Sequence, residues 1–347
     1  MQKVTENIFP LEWNLTDDLK VKKHNKKVFG TFVCGGGSTM GYKLAGFDHL
    51  GGVEFTEHFS KIYKKNLNPK HFYLEDIRDF NKRTDLPKEL YNLDILDGSP
   101  PCAAFSTSGS REDIWGKKSL YEGIKQVKDD LVYIYSDTIK KLNPKVFLLE
   151  NVSGIIKGNA KIYVLNVINR LSDDYDIQVF SLFAASMGLP QLRNRVFIIG
   201  SRKDLKNKKL NLNFDVPKVN FDVTKKYWSI FENDISKYSL DKLWGEVEIG
   251  SSHKKHFNLV KPSLNKPCPT ITATTGNAGA YSVVHPIYKR KLNKEEVRLL
   301  STFPKDYNFL DTNPVTTMGR SVLPLMMANI SNQIYNQWLK NGQNGTQ

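Results

Sequence analysis

Cysteine is scarce in this chain of 347 residues, and the three cysteines lie far apart at Cys34, Cys102 and Cys268. Their odd number and wide spacing argue against a disulfide framework. No two of them have the short spacing of a zinc-ligand pair. The sequence therefore predicts neither a disulfide-stabilised fold nor a metal site.

Long apolar runs are also missing. No uninterrupted apolar stretch is long enough to cross a bilayer. The N-terminus begins with polar and charged residues instead of the apolar core of a signal peptide. These features predict a cytoplasmic protein with no membrane partner, and the 40% hydrophobic content suffices for one large or two modest domains.

Acidic residues are fewer than basic residues in this chain. The chain has 50 Lys and Arg against 36 Asp and Glu, which gives a formal net charge of +14. Such an excess favours a polyanionic partner, with nucleic acid as the first class to consider. The lysines are spread along the chain, so a lysine-rich proteome background would explain the same numbers.

Two common phosphate-binding motifs are absent around the glycine cluster Gly35 to Gly37. Met40 stands where G-x-G-x-x-G needs its last glycine, and no GKS or GKT follows. The cluster lies between a predicted strand and a predicted helix that opens at Ser38. It would let a ligand approach the backbone closely, although a tight turn explains it equally well.

Apolar segments typical of strands alternate with helical spacing across the first two hundred residues. This alternation predicts βαβ units and a mostly parallel sheet, which is an α/β fold. The predicted strands include Lys27–Cys34, Val53–Phe55, Tyr91–Leu96, Val146–Leu149, Gln178–Ala184 and Arg195–Gly200. The predicted helices include Thr56–Leu67, Lys128–Leu142, Tyr163–Leu171, Asn293–Phe303 and Pro324–Leu339.

A composition shift after Ser201 divides the chain. The segment from Arg202 to Leu210 is rich in lysine, and the sequence beyond it is polar and aromatic without a clear helical period. We predict four parts: a polar extension (1–27), a catalytic and cofactor-binding domain (28–203), a small target-recognition domain with hinge (204–290), and a C-terminal segment (291–347) that returns to the catalytic domain.

Four chemically interesting places follow predicted strands: the glycine cluster, Glu54, Cys102 and Glu150. Ligands of open α/β sheets bind at the carboxyl ends of the strands, so these places should converge. Glu54 is positioned to accept hydrogen bonds from ribose hydroxyls, and Asp76 from an adenine amino group. A nucleoside cofactor without a pyrophosphate fits this set better than a dinucleotide does.

The turn Ser99-Pro100-Pro101-Cys102 places a thiol directly after a predicted strand. Two prolines restrict φ and remove two backbone donors, so neither helix nor central strand continues there. The rigid turn indicates a presented nucleophile. A buried structural cysteine is the common alternative.

Six segments in order resemble the motifs of cytosine-C5 DNA methyltransferases of the bacterial and phage modification type. The segments are FVCGGGSTMG, PPCAAFS, LLENV, QLRNR, KPCPTITA and GRSVLPLMMANI, which span about Phe29 to Ile330. The resemblance implies a Rossmann-like methyltransferase sheet with helices on both faces and a smaller target-recognition domain. Three positions depart from the family's usual residues: Cys34 stands in place of glycine, Ala103 in place of glutamine and Arg320 in place of asparagine.

The same resemblance implies catalytic roles. Cys102 would add to C6 of cytosine, which makes C5 nucleophilic. Glu150 would hold or protonate ring N3, and Arg195 would bond O2 with the support of Arg193. Without Cys102, Glu150 would be an ordinary acid beyond a strand, and the two arginines a solvated pair.

The implied cofactor is S-adenosyl-L-methionine. Phe32, Gly36 and Gly37 would lie beside its methionine part, and Glu54 would bind the ribose. Phe55 would pack on adenine, although an aromatic residue there is as often plain core. The other implied pocket residues are Asp76 and Ile77 at the adenine edge, with Pro100, Leu131 and Ser321.

The implied partner is double-stranded DNA from which one base is flipped, with the basic run 202–209 on phosphates. The enzyme would act as a monomer near the nucleoid, and a cognate restriction endonuclease would recognise the same site. One alternative is a tRNA methyltransferase of the same family, whose Cys-Phe-Thr motif is missing here. Another is a catalytically silent, sequence-specific DNA-binding protein, which the intact Cys102, Glu150 and Arg195 argue against.

Overall fold

The computed structural model describes residues 2–101, 119–121, 124–126, 130–230 and 233–340. For residues 18–19, 119–121 and 124–126 it describes the backbone only. The predicted nucleophile Cys102 and its neighbour Ala103 lie outside the described residues.

Nine strands form two sheets in the described chain. They are β1 Lys27–Thr31, β2 Asp48–Glu54, β3 His71–Leu74, β4 Ile95–Gly98, β5 Ser119–Tyr121, β6 Ile124–Gln126, β7 Val146–Val152, β8 Tyr175–Phe183 and β9 Asn194–Arg202. The large sheet has the order β3-β2-β1-β4-β7-β9-β8, and β5 pairs with β6. Strands β3, β2, β1, β4 and β7 pair in parallel, while β9 is antiparallel to both of its neighbours. The predicted, mostly parallel α/β sheet is confirmed.

The described chain has nine α-helices, and all but α6 pack in the two cores on the faces of this sheet. They are α1 Gly37–Leu44, α2 Glu57–Leu67, α3 Ile77–Lys82, α4 Leu131–Leu142, α5 Lys161–Leu171, α6 Leu240–Trp244, α7 Lys294–Leu300, α8 Pro314–Arg320 and α9 Pro324–Ile334. Successive strand residues point to opposite faces. Ile95 and Leu148 accordingly pack in the core that contains α1, α2 and α9, whereas Leu96 and Leu149 pack in the core that contains α3, α4 and α5.

All six predicted strands differ from the observed strands in at least one bound, and two of these differences bear on the site. The predicted strand Tyr91–Leu96 is wrong in its position, because Lys88–Tyr91 is a 3-10 turn and β4 begins at Ile95. Parallel pairing with β1 on one side and β7 on the other draws Asp97 and Gly98 into the sheet. Strand β7 continues to Val152, because β9 pairs with it along its whole length.

The C-terminal segment packs on α1 through glycines. A Cβ atom at Gly37 would lie 2.1 Å from the Val322 carbonyl oxygen, and one at Gly41 would lie 2.4 Å from that of Pro324. Only hydrogen fits in these places, so α9 and the residues before it approach α1 closely. The glycine cluster thus serves chain packing, a purpose that the sequence did not reveal.

A second, smaller core lies within the predicted segment 204–290. Its buried residues are Ile235, Leu240, Val247, Leu259 and Val284. Earlier residues of the same segment, Leu210 to Phe221, pack instead into the core on the α1 face of the sheet. Within the described chain, no helix has the length and apolar character needed to cross a bilayer.

Candidate active site

One cavity of about 540 Å³ lies at the carboxyl ends of the central strands. Its lining contains every predicted cofactor or catalytic residue that the structure describes except Gly36. Those residues are Phe32, Gly37, Glu54, Phe55, Asp76, Ile77, Pro100, Leu131, Glu150, Arg193, Arg195 and Ser321. Gly36 caps α1 beside the cavity, with a φ of 79°.

The loop from Phe32 to Gly36 has an unusual backbone. Phe32 and Cys34 have φ values of 57° and 47°, in the left-handed region that non-glycine residues rarely adopt. The loop turns the Cys34 N–H towards Glu54, whose Oε2 accepts it at 2.8 Å. Cys34 occupies a position where the resemblance expects glycine, and its φ gives the physical reason for that preference.

Glu54 ends β2 and is held by backbone donors. Its Oε1 accepts from the Thr56 N–H at 2.8 Å, and the Thr56 hydroxyl and the Phe55 N–H also hydrogen-bond to the carboxylate. Burial raises the pKa of Glu54, and these N–H groups oppose that shift. Glu54 also lines the cavity, where a ligand hydroxyl could share its carboxylate oxygens with these donors.

Asp76 connects the next two elements of the cavity wall. Its carboxylate caps α3 by accepting from the Arg78 N–H at 2.8 Å. The Arg78 guanidinium contacts Asp76 and also donates to Asp130 at 2.6 Å, directly before α4. This bridge sets Ile77 and Leu131 on the same wall.

Glu150 and Arg195 form an ion pair at the other end of the cavity. Arg195 Nε lies 3.0 Å from Glu150 Oε1, and both side chains are largely buried. The antiparallel pairing of β7 with β9 brings them together, since Val152 is opposite Arg195. Asn151 donates to the Pro100 carbonyl at 3.2 Å, which fastens the proline turn to β7.

Gln191 and Arg193 hold distant segments of the chain together. Arg193 is 2% exposed and donates to the carbonyls of Ile271 (3.0 Å) and Ser321 (2.8 Å). Gln191 donates to the Leu300 carbonyl at 3.0 Å. The alternative of a solvated arginine pair is therefore wrong. Arg193 holds the cavity wall formed by residues 319–322, which we call the C-terminal wall, whereas Arg195 contacts Glu150.

Asp97 is a cavity residue that sequence reasoning missed. It is 3% exposed and accepts hydrogen bonds from the hydroxyls of Tyr42 (3.3 Å) and Ser38. Burial, followed by the charge of Glu150, raises the pKa of Asp97 to about 7. The available signal was an acidic residue inside an apolar segment, but the strand was predicted to end before it.

The two described cysteines are unsuited to nucleophilic chemistry. Burial raises the pKa of the Cys34 thiol to about 12, and burial also raises the pKa of Cys268. Since the thiolate is the reactive form, neither is a nucleophile near neutral pH.

Arg320, the other departure that can be described, lines the same cavity. Its guanidinium lies 5.6 Å from the centre of the Phe59 ring. A cation therefore stands where the resemblance expects the amide of asparagine.

A second cavity of about 550 Å³ adjoins the first at Arg195 and Thr272. Its lining combines residues next to β9, such as Leu192, with Phe257 and Tyr281 of the predicted recognition segment. The side chain of Phe257 is 67% exposed. The catalytic end of the first cavity thus opens towards the predicted DNA-binding side.

Comparison with known proteins gives consistent matches. Residues 27–336 match the family of C-5 cytosine-specific DNA methylases. The Type II methyltransferase M.HindV of Haemophilus influenzae is 28% identical over 292 residues, which cover 83% of this chain and 81% of that protein. M.FnuDI of Fusobacterium nucleatum is 30% identical over 234 residues, which cover 66% of this chain and 62% of that protein, less than two thirds of its length.

A solved structure shows the same fold. It is described as a candidate DNA modification methyltransferase encoded within an E. coli prophage, and it matches with a TM-score of 0.70. The match covers 90% of this chain and 99% of that chain at 21% identity. The family match spans all six motifs and most of the chain, so the predicted class of enzyme is confirmed. The chain belongs to the C-5 cytosine-specific DNA methylase family and is a DNA (cytosine-5)-methyltransferase.

Proposed function

We propose that this protein transfers a methyl group from S-adenosyl-L-methionine to C5 of a cytosine within a specific sequence of double-stranded DNA. One observation carries the proposal: a single cavity joins the Glu54 and Asp76 end, suited to a nucleoside, to the Glu150–Arg195 pair. A nucleoside cofactor and a base could meet there.

The residues of the cavity suit this cofactor, on which the family generally depends. Glu54 would hold the ribose hydroxyls, Asp76 and Ile77 the adenine edge, and Phe55 the face of the ring. Three buried polar atoms of the lining residues, Glu75 Oε1, Ser99 Oγ and Arg193 Nε, have no hydrogen-bond partner among the described residues. When bound, the cofactor supplies an electrophilic methyl group.

The catalytic end has groups for activating a cytosine. Glu150 would hold or protonate N3, so that electrons leave C6 as a thiolate adds there. Arg195, oriented by Glu150, would stabilise charge at O2. We assign the thiolate to Cys102, because it stands in the segment PPCAAFS that resembles the family's nucleophile motif. Burial of the Cys34 and Cys268 thiols, which raises their pKa, agrees with this assignment. A base removes the C5 proton after methylation, and the thiolate then leaves.

The cytosine must leave the duplex to reach this cavity, at a cost of a few kcal/mol. Contacts of the recognition segment, including the basic run 202–209, would offset that cost. Lys254 and Lys255 would contact phosphates. We further propose that the enzyme acts as a monomer and protects its site from a cognate restriction endonuclease.

Labelled S-adenosylmethionine tests the proposal. The protein is incubated with duplex DNA or with tRNA, and the modified base is identified by mass spectrometry. We expect 5-methylcytosine in DNA. Transfer to tRNA alone would overturn the proposal, and bisulfite sequencing of DNA from expressing cells would identify the target sequence.

Replacement of the proposed nucleophile gives a sharper test. Cys102→Ser should lower turnover by more than about 10³-fold, as loss of a catalytic nucleophile does in other enzymes. Cofactor affinity, measured by calorimetry, should stay unchanged. An active Cys102→Ser protein would show that the nucleophile is assigned wrongly.

A further inference from the structure

Asp97 differs from every other acidic residue that lines the active-site cavity. Glu54 is held by backbone N–H groups, and Asp76 and Glu150 contact arginines. Glu75 pairs with Arg83 at 3.3 Å. Asp97 accepts only from hydroxyls, and the described residues offer it no cationic partner.

The sheet sets Asp97 between the two ends of the cavity. It is paired in register with Leu148, and Glu150 follows two residues later on the same face. On its other side lies α1, whose Ser38 donates to it. Because β4 lies between β1 and β7, Asp97 stands between the proposed nucleoside site and the proposed base site.

The point between nucleoside and base is where the methyl donor must lie. S-adenosylmethionine carries its positive charges there, one on the sulfonium and one on the ammonium of its methionine part. A buried carboxylate without a cation is costly, and a paired one is much less so. We propose, on the basis of the proposed function, that Asp97 binds the positively charged methionine end of the cofactor.

This role couples cofactor binding to the loss of the Asp97 carboxyl proton. The groups that face Asp97 are Ser38 and Tyr42 from α1, Tyr63 from α2 and Glu150 from β7, and Tyr135 of α4 interacts with its charge from the opposite face of the sheet. Burial and the charge of Glu150 raise the pKa of Asp97 to about 7, so at pH 6 it is mainly protonated in the free protein. A cationic ligand favours the ionised form, so binding should release a proton, and affinity should rise with pH up to about 7.

Titration calorimetry at pH 6 in two buffers of different ionisation enthalpy measures this proton. The wild-type protein should release close to one proton on binding S-adenosylmethionine. Asp97→Asn should release none and bind about tenfold more weakly, the loss expected for one charge-assisted contact. Asp94→Asn is the matched control, because Asp94 is also buried but pairs with Lys145 at 2.9 Å and does not line the cavity.

S-adenosylhomocysteine, which has the ammonium but no sulfonium, identifies the charge that Asp97 binds. An effect of Asp97→Asn that disappears with this ligand assigns the sulfonium, and an equal effect assigns the ammonium. Unchanged affinity and proton release in Asp97→Asn would overturn the inference and leave the proposed function intact. A wild-type protein that binds neither ligand would overturn both.

Tyr42→Phe provides a second variant in case Asp97→Asn does not fold. It removes one hydroxyl donor of the ionised carboxylate, so proton release should extend to higher pH. An unchanged pH profile of binding in Tyr42→Phe would contradict the inference.

Discussion

The two ends of the active-site cavity are built in different ways. At the cofactor end, Glu54 and Asp76 accept from the N–H groups of Thr56 and Arg78, each only two residues further along the chain. At the catalytic end, Arg195 lies 45 residues beyond its partner Glu150, as their sequence numbers show. Apart from the Cys34 N–H, which donates to Glu54 from 20 residues earlier, the cofactor end is organised by local structure, whereas the catalytic end exists only in the folded sheet.

This difference should separate the effects of substitutions on cofactor affinity from their effects on turnover. Groups fixed by neighbouring N–H donors are pre-organised to bind a ligand without rearrangement. The catalytic groups depend on β7, β9 and the C-terminal wall together. We therefore expect changes at the cofactor end to alter affinity, and changes at the catalytic end to alter turnover or folding.

Among the described residues of the cavity, Glu150→Gln should have the largest effect. It removes the group that would protonate N3 and leaves Arg195 without its carboxylate partner. General acid–base groups contribute about 10²–10⁴-fold, so we expect kcat to fall by that factor. Single-turnover methylation of duplex DNA measures it.

Cofactor affinity is the control for Glu150→Gln. The dissociation constant should be unchanged, because Glu54 and Asp76 are untouched. A variant that loses affinity and keeps kcat would show that the two ends of the cavity are not separable in this way.

The next largest effect is a loss of stability, which we expect on replacing Arg193, directly before β9, but not to the same extent on replacing Arg195 within β9. Arg193→Met leaves the buried carbonyls of Ile271, Gly319 and Ser321 without this donor. Each orphaned polar group costs about 1–3 kcal/mol, so the free energy of unfolding should fall by about 3 kcal/mol or more. Chemical denaturation measures the loss.

Arg195→Met is the matched variant two positions further. Its side chain donates to the Asn194 carbonyl and contacts Glu150 at the catalytic end of the cavity. It should lower kcat more than stability. Equal loss of stability in the two variants would contradict their separate roles.

The sequence predicted that Glu54 and Glu150 would converge, and both line the same cavity, while their roles stay predictions. Short apolar runs located β7 and β9, and the acid that ends β2 was expected to bind ribose. The bracing by Arg193 and the position of Asp97 could not be predicted in the same way. Both depend on pairing between distant segments, which draws Asp97 into β4 and brings Ile271 and Ser321 to Arg193.

A smaller effect is expected from Glu54→Gln at the cofactor end. The neutral amide loses the charge-assisted contact to ribose and places an NH₂ group against one of its backbone N–H donors. The dissociation constant of S-adenosylmethionine should rise about tenfold, with kcat at saturation unchanged. Glu75→Gln, on the same wall but paired with Arg83, should bind normally in calorimetry. Equal weakening in both variants would show a general loss of negative charge instead.

The smallest effect tests the backbone that supports Glu54. Cys34 has a φ of 47°, and a left-handed conformation costs a non-glycine residue about 1–2 kcal/mol. In ordinary segments alanine is more stable than glycine by about 0.5–1 kcal/mol. At this position the order should reverse, so Cys34→Gly should unfold at a higher denaturant concentration than Cys34→Ala. Both variants lose the thiol, so the comparison isolates the backbone. If alanine proved the more stable, the loop would not be strained, and the local rigidity assigned to the cofactor end would need another source.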